Sequence, residues 1–347
     1  MRVETRDFAV SLATPLATAR GEITEREGIL VRVTDGGEIG FGEATPLSSW
    51  TESLGDCRTA LSDAADRLNA GEATPGEVLG DLVDTPAARH GLSLALADLR
   101  AGRRGEPLYR FLGRESEHEA VPVNATVGDG DRTETVDAAE AALDAGYGVV
   151  KLKAGTRPVG DDVARVQAVR DAVGPDVELR VDANGAWDRE QAAEAFDAFA
   201  DARVRYVEQP LPPDDLAGHA ALRGGRVGVA LDESLASHPV EAVLEAGAAD
   251  LLVLKPMALG GVQRAKRAIL QAREEQVASV VTTTVDAAVA RTAAVHLAAS
   301  VPGISACGLA TAPWLATDLT DADPAPVEGG RVSVPSGPGN VPGGPDR

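Results

Sequence analysis

Residues 149–182 read VVKLKAGTRPVGDDVARVQAVRDAVGPDVELRVD. The stretch begins and ends with a short run of strand type, Val149–Lys153 and Glu178–Asp182, and the residues between them form a helical, alanine-containing pattern. A strand, a helix and a second strand in succession predict two parallel neighbours joined by a right-handed crossover. This unit therefore favours an α/β fold with a parallel sheet.

The same unit recurs along the chain from residue 121 onward. The ends of successive β-rich runs are 23–29 residues apart, which is the length of one strand, one helix and two short loops. Eight such units close a barrel, so we predict a modified TIM (β/α)8-type barrel. The eight runs are Val121–Thr126, Val149–Lys153, Glu178–Asp182, Val204–Glu208, Val227–Asp232, Leu251–Lys255, Ser279–Thr284 and Ile304–Cys307.

The N-terminal part of the chain has a different pattern, which predicts an α+β capping domain with lid loops over residues 1–115. We assign residues 116–320 to the barrel, which would carry the active site. Residues 321–347 are rich in proline, and we expect them to pack back on the capping domain with their last residues frayed. The N-terminal pattern comprises extended stretches at Arg2–Val10, Gly28–Val33 and Glu38–Ala44 and helical ones at Thr51–Asn69 and Pro86–Arg100.

The charge balance excludes several classes of partner. The chain has 54 acidic and 33 basic residues and a formal net charge of -21, which disfavours nucleic acid and anionic membranes. Every apolar stretch is interrupted well before the roughly 20 residues that a membrane span needs. The chain has only two cysteines, Cys57 and Cys307, and no signal-peptide pattern. We therefore expect a cytoplasmic protein with a small-molecule partner, and nothing in the pattern indicates its oligomeric state.

The basic residues are almost all arginine. The chain has 29 arginines and only four lysines, together with few aromatic residues and many alanines and glycines. Excess acid and scarce lysine fit a halophilic protein, because molar salt shortens the Debye length to about 3 Å and screens self-repulsion. The alternative is an acidic protein whose composition reflects a genome rich in G and C.

Acidic residues end three successive predicted strands: Asp182, Glu208 and Asp232. A single aspartate after a strand is commonly a helix cap. Three acids at consecutive strand ends of a barrel would instead converge at its mouth, where the catalytic residues of this fold lie. Carboxylate oxygens suit a hard divalent cation, so we expect Mg²⁺ there, with Mn²⁺ as the alternative.

Three of the four lysines also lie at strand ends: Lys151, Lys153 and Lys255. An amine can lose its proton, whereas a guanidinium cannot, so these positions indicate acid–base chemistry. Lys151 and Lys153 are about 7 Å apart on one side of a strand, and their mutual repulsion should lower the pKa of at least one of them towards neutrality. Such a lysine would remove a proton α to a carboxylate. We interpret Lys266, on the helix after the sixth strand, as an ordinary surface charge.

These strand ends resemble those of the enolase superfamily, in its muconate-cycloisomerase-like subgroup, over essentially the whole chain. The resemblance implies Mg²⁺ on Asp182, Glu208 and Asp232, and Lys153 and Lys255 as the acid–base pair. None of the five histidines lies at a strand end, which disfavours the racemase subgroup whose second base is a histidine. The matching motifs are Lys151-Leu152-Lys153, Val181-Asp182-Ala183-Asn184-Gly185, Glu208-Gln209-Pro210, Asp232-Glu233-Ser234 and Lys255-Pro256.

Within this subgroup, other segments resemble the o-succinylbenzoate synthases of menaquinone biosynthesis. Dipeptide epimerases of the subgroup carry acids just after the eighth strand to hold the substrate ammonium, and residues 308–311 of this chain contain none. The same stretch lacks the glutamate expected of muconate cycloisomerases. The segments that carry the resemblance are 15–21, 24–28, 40–47, 308–309 and 314–319.

The resemblance implies a dehydratase that converts 2-succinyl-6-hydroxy-2,4-cyclohexadiene-1-carboxylate into 2-succinylbenzoate. The alternatives are an N-acylamino acid racemase, which would use both lysines in turn, and a barrel that only binds anions, which would not need titratable lysines. We expect contacts with this anionic carboxylate substrate at Arg20, Trp50, Asn184, Thr282 and Thr283.

Overall fold

A computed structural model describes residues 1–18, 21–114 and 118–345 of the chain. Arg20, an expected substrate contact, lies outside the described residues, and so do the last two residues of the tail. No helix in the described ranges is long and apolar enough to cross a membrane.

The N-terminal unit is an antiparallel sheet packed against helices, as the sequence predicts. The strand order is β1-β2-β3. Ile29, Val31 and Val33 alternate along the central strand and are buried in the core formed with the helical layer, whereas Leu30, on the other face, is buried in the core that includes the barrel strands. The elements are β1 (Arg2–Thr18), β2 (Gly21–Asp35), β3 (Glu38–Ala44), α1 (Leu54–Ala70), α2 (Pro75–Asp81), α3 (Pro86–Arg103) and α4 (Leu108–Phe111).

Strands β1 and β2 are much longer than predicted. They pair from Arg2↔Thr34 to Thr18↔Gly21, with a register irregularity between Ser11 and Leu16. Residues 11–15 and 22–25 of this ribbon are mostly exposed, and they lack the regular apolar alternation by which a strand is recognised from sequence.

The barrel is built from seven consecutive parallel strands, in the order expected of repeated βα units. Its strands are β5 (Ala125–Val127), β6 (Val149–Lys153), β7 (Glu178–Asp182), β8 (Val204–Glu208), β9 (Gly228–Leu231), β10 (Leu251–Leu254) and β11 (Ala278–Val281). Its helices are α5 (Arg132–Asp144), α6 (Val159–Val173), α7 (Arg189–Asp201), α8 (Leu216–Leu222), α9 (Ser234–Ser237), α10 (Val240–Glu245), α11 (Val262–Glu274) and α12 (Ala288–Ala299).

The first and eighth predicted runs differ from regular strands. The eighth run contributes single parallel bridges, Cys307 to Val123 on one side and Gly308 to Thr282 on the other, and these join the two edges of the seven-stranded sheet. The first run is split into β5 and a short strand, β4 (Ala120–Pro122). β4 pairs antiparallel with β13, whereas β5 pairs in parallel with β6, so the run changes partners between Pro122 and Ala125.

The C-terminal tail contacts both parts of the molecule. Its hairpin, β12 (Val327–Glu328) and β13 (Arg331–Ser333), adds to β4. Further on, the Asn340 N–H donates to the buried Asp98 carboxylate on α3 (2.6 Å), and Gly339 pairs with the segment before α4. The division into three units, with the tail assigned to the capping domain, remains a prediction.

Candidate active site

The carboxyl ends of β6 to β10 bring the charged side chains together. Strand register places Lys153 beside Asp182 and Asp182 beside Glu208. Asp232 follows β9 directly, and Lys255 follows β10. Because the strands are parallel and adjacent, all of these side chains lie at one end of the barrel. The structure thus brings together all six charged residues that the sequence pattern predicts.

Lys151 forms ion pairs with two of the acids. Its Nζ lies 3.2 Å from Asp182 Oδ2 and 2.9 and 3.0 Å from the two oxygens of Glu208. Burial alone would lower the pKa of Lys151, but the charges of Glu208 and Asp182 outweigh it and hold this pKa well above its usual range. For Lys151, the expected fall in pKa is therefore wrong, because carboxylates and not the second lysine dominate its surroundings.

Lys153 is the more accessible amine of the pair. Its Nζ donates to Asp182 Oδ2 (2.7 Å) and to Asn184 Oδ1 (2.9 Å). Its side chain is 33% exposed, compared with 15% for Lys151. Lys153 is consequently the lysine of β6 that can reach a bound molecule.

Lys255 lies on the other side of the acids and is covered. Its Nζ donates to both oxygens of Asp232, at 2.7 and 2.6 Å, and lies 3.2 Å from the centre of the Trp50 ring. The side chain is only 10% exposed. Trp50, which we expected at the site, is thus a residue of the capping domain in direct contact with a barrel lysine.

The three carboxylates lie in one buried cluster and interact electrostatically. Burial, and next the repulsion from Asp182, raise the pKa of Glu208 to about 7, while burial raises that of Asp232 to about 6 despite Lys255. Burial would also raise the pKa of Asp182, but Lys151 and Lys153 outweigh it and hold this pKa well below its usual range.

A divalent cation fits this cluster chemically. The carboxylate oxygens of Asp182, Glu208 and Asp232 are hard donors, and all three side chains are buried at neighbouring strand ends. One further buried oxygen, Glu233 Oε2, has no hydrogen-bond partner. In the described residues, no three acid, imidazole or thiol groups are already arranged around a common point, because lysines pair with the acids.

Gln209 is a supporting residue that sequence reasoning missed. Its side chain is fully buried, and its Oε1 accepts from the N–H groups of Asp232 and Ser234, both at 3.1 Å. Its Nε2 donates to Leu211 O (3.0 Å) and Ser234 Oγ (2.9 Å). The amide thereby ties the end of β8 to the end of β9. The Glu208-Gln209-Pro210 motif was the only sequence signal for this role.

Glu233 is a second residue that sequence reasoning missed. Asn184 Nδ2 donates to Glu233 Oε1 (2.9 Å), while Asn184 Oδ1 accepts from Lys153. Asn184, an expected substrate contact, therefore connects Lys153 to Glu233 and has a positive φ of 46°. The substrate contact that we expect of Asn184 remains a prediction.

Thr282 and Thr283, the two threonines of the seventh run that we expect to contact the substrate, form hydrogen bonds within the protein. Thr282 Oγ1 donates to Gly308 O (2.9 Å), and a side chain at position 308 would clash with this hydroxyl. The hydroxyls of Thr283 and Thr311 are 3.3 Å apart. These contacts fix the seventh run against the residues that follow the eighth, and the substrate contacts that we expect of Thr282 and Thr283 remain a prediction.

Lys266 is not the ordinary surface charge that we expected. It is half-buried, and its Nζ donates to the carbonyl (2.7 Å) and hydroxyl (3.0 Å) of Ser300, directly after α12. A cation at the C-terminus of a helix is favoured by the helix dipole, and this accounts for a lysine outside the site.

The chain has a capping domain and a βα barrel, and lysines and carboxylates lie at consecutive strand ends of that barrel. These features define a class of barrel enzyme whose active site lies at the carboxyl ends of the strands. Comparison with known proteins identifies the class. A family model described as enolase C-terminal domain-like matches residues 134–340, and one described as the MenC N-terminal domain matches residues 2–99. The chain belongs to the enolase superfamily.

Individual relatives carry different activities. The chain is 31% identical to the L-Ala-D/L-Glu epimerase of Bacillus subtilis (strain 168), over 98% of this chain and 95% of that protein. It is 40% identical to the o-succinylbenzoate synthase of Thermobifida fusca (strain YX), over 61% of this chain and 66% of that protein. A dipeptide epimerase from Enterococcus faecalis V583, solved with Mg and the dipeptide L-Leu-L-Tyr, superposes with a TM-score of 0.86 at 25% identity over 98% of both chains.

Proposed function

We propose that this protein is an o-succinylbenzoate synthase, a carbon–oxygen lyase that acts on 2-succinyl-6-hydroxy-2,4-cyclohexadiene-1-carboxylate in menaquinone biosynthesis. The matches to the MenC N-terminal domain and to an o-succinylbenzoate synthase support the proposal. The chain is also similar to an epimerase over 98% of its length, so proton abstraction is the part of the chemistry that both activities share, and the second step has to be argued from the site.

The observation that carries the choice is the end of the eighth run. A dipeptide substrate presents an ammonium group, which requires a carboxylate in the site. Gly308 lies beside Thr282 at the barrel mouth, and residues 308–311 contain no acid. Thr311 faces Thr283 with a hydroxyl instead. This surface suits a substrate whose groups are anionic or neutral.

The chain's own residues would perform the reaction in two steps. Lys153 Nζ takes the proton from the carbon that bears the ring carboxylate, and the electron pair of that C–H bond enters the enolate. The C–O bond at the neighbouring carbon then breaks, and the departing hydroxide takes the proton from the Lys153 ammonium and leaves as water. The product ring is aromatic, which drives the elimination.

The acids and Lys255 would provide charge for the same steps. Asp182, Glu208 and Asp232 would hold Mg²⁺, and Mn²⁺ is the alternative ion. When bound, the ion supplies positive charge that stabilises the enolate. Lys255 acts as a second fixed cation opposite Lys153, and Asn184 orients Lys153 through its hydrogen bond.

The proposal is tested by mixing purified protein and Mg²⁺ with the cyclohexadiene substrate and recording the ultraviolet change that accompanies aromatisation. Wild type should give this change, and Lys153→Ala should abolish it while the far-ultraviolet circular dichroism stays native. Lys266→Ala, a lysine outside the site, is the matched control and should retain activity. A wild type that is inert with this substrate but racemises N-succinyl amino acids would contradict the proposal and establish the racemase instead.

A further inference from the structure

The two lysines that face each other across the site differ in access. Lys153 is 33% exposed, whereas Lys255 is 10% exposed. Two hydrogen bonds from Lys255 Nζ go to the oxygens of Asp232, and its remaining side is covered by the Trp50 ring at 3.2 Å. The ring face is attracted to the ammonium by its quadrupole. The Lys255 amine is thus enclosed between a carboxylate and an indole.

Trp50 is held in this position by a tight turn of the capping domain. The N–H groups of Trp50 and Thr51 both donate to Leu47 O, at 2.9 and 3.0 Å, and Leu47 N–H donates to Thr51 Oγ1 at 2.9 Å. Ser49, just before the tryptophan, has a backbone φ of 84°, which residues other than glycine rarely adopt. Strained backbone that persists in a well hydrogen-bonded turn indicates that the position of the next residue matters.

The access of Lys255 determines which reaction the site can perform. Racemisation needs two amines: one breaks the C–H bond on one face of the α-carbon, and the ammonium of the other forms a new C–H bond on the opposite face. Elimination by Lys153 needs only one, since Lys153 both removes the α-proton and returns it to the departing hydroxide. An amine that is covered cannot take a proton from carbon, because the two atoms must approach to about 3–3.5 Å.

We propose that Trp50 is a specificity-determining residue, which covers Lys255 and restricts proton transfer at carbon to Lys153, thereby favouring elimination over racemisation. The inference rests on the proposed function for its physiological meaning. The claim that the Trp50 ring covers Lys255 can be tested without the proposed function. It predicts only that protons are exchanged faster on the substrate face next to Lys153 than on the face next to Lys255.

The first experiment follows hydrogen–deuterium exchange at the α-carbon of each enantiomer of one N-succinyl amino acid, in D2O with Mg²⁺. Wild type should exchange the enantiomer that points its α-hydrogen at Lys153 at least about ten times faster than the other. Trp50→Leu should reduce this ratio about tenfold, and Trp50→Phe, which keeps an aromatic face, should restore it. Trp314→Leu, which removes an exposed tryptophan elsewhere, is the matched control and should leave the ratio unchanged.

A second experiment measures access directly and needs no substrate. The chain has four lysines, so labelling with a small amine-specific reagent, followed by peptide mass analysis, reports each one separately. In wild type Lys153 should react several times faster than Lys255, and Trp50→Leu should raise the labelling of Lys255 but not that of Lys266.

Equal labelling of Lys153 and Lys255 in wild type, or an exchange ratio that Trp50→Leu leaves unchanged, would overturn the role of Trp50. Failure of the proposed function has a different signature. In that case no aromatisation occurs with the cyclohexadiene substrate, while the unequal labelling and its dependence on Trp50 persist.

Discussion

The positions of the reactive side chains depend on neutral residues beneath them. Gln209 is the main example, because one buried amide accepts from the N–H groups of Asp232 and Ser234 and donates to Leu211 and Ser234. Gln209 also has a φ of 42°, an uncommon conformation that this set of hydrogen bonds stabilises. The relative position of Glu208 and Asp232 is therefore set by a buried neutral amide between the two strand ends.

Replacement of Gln209 by methionine, which has similar length and no amide, should weaken metal binding. The N–H groups of Asp232 and Ser234 lose their acceptor, and residues that support metal ligands typically change affinity by about 10–100-fold. Isothermal titration of the variant with Mn²⁺ measures the effect. Gln167→Met, at an exposed position of α6, is the control, and an affinity equal to wild type in Gln209→Met would contradict this role.

Sequence reasoning located the charged residues of the site but not their support. The acids and lysines could be predicted as site residues because they lie at the ends of predicted strands, and the carboxyl ends of barrel strands meet at one face of the barrel. The links formed by Gln209 and Glu233 depend on hydrogen bonds between neighbouring strand ends, and spacing does not specify these. The predicted fall in the pKa of Lys151 was wrong, because carboxylates on two other strands hold this pKa above its usual range.

Among the elements, α12 connects the barrel to the capping domain. All twelve of its residues are buried. Its N-terminus has no cap of its own, and Glu43, at the end of β3, accepts from the N–H groups of Ala287 and Ala290, both at 2.8 Å. A carboxylate from one domain thus satisfies the helix N-terminus of the other. Burial, followed by repulsion from Asp286, nonetheless raises the pKa of Glu43 to about 7.

This shift predicts a pH dependence of stability. Between its ordinary pKa of 4.5 and the folded value of about 7, Glu43 is protonated in the folded state and ionised in the unfolded state. The folded state then binds more protons, so the free energy of unfolding should fall as pH rises through this window, by up to roughly 1.4 kcal/mol per pH unit.

Urea unfolding at several pH values between these limits measures the slope. Glu43→Gln should be closest in stability to wild type at low pH, because its amide, like the protonated carboxyl, offers one accepting oxygen and one donating group. It should also lack the part of the slope due to Glu43. Glu38→Gln, an exposed position on the same strand, serves as the control, and identical slopes in wild type and Glu43→Gln would contradict the assignment.

The regular βα units were predictable as elements because a buried parallel strand gives a continuous apolar run and its helix a periodic one. The distal part of β1 and β2 was not, since residues 11–15 and 22–25 are mostly exposed and have no regular apolar alternation. The eighth run was predicted as a full strand but forms only single bridges on each side. Cys307 pairs with Val123 on one side, and Gly308 pairs with Thr282 on the other. A local sequence pattern does not specify how many residues of a run pair with each neighbouring strand.

For the molecule as a whole, the net charge of -21 predicts dependence on salt. Self-repulsion destabilises a compact acidic protein at low ionic strength, and salt screens it as the Debye length falls from about 10 Å at 0.1 M to about 3 Å at 1 M. The midpoint of thermal unfolding should therefore rise when potassium chloride is increased from about 0.1 to 1 M. A midpoint that is already maximal at the lowest concentration would contradict the halophilic interpretation.

The central claim is that the buried cluster of Asp182, Glu208 and Asp232 is a divalent-metal site. Electron paramagnetic resonance of free Mn²⁺ during a titration with protein tests it most directly, because bound and free ions are counted separately. Wild type should bind one ion per chain, and Asp182→Asn, Glu208→Gln and Asp232→Asn should each weaken binding by about 100-fold or more. Wild-type protein that binds no ion, or three variants that all bind as wild type does, would contradict the account.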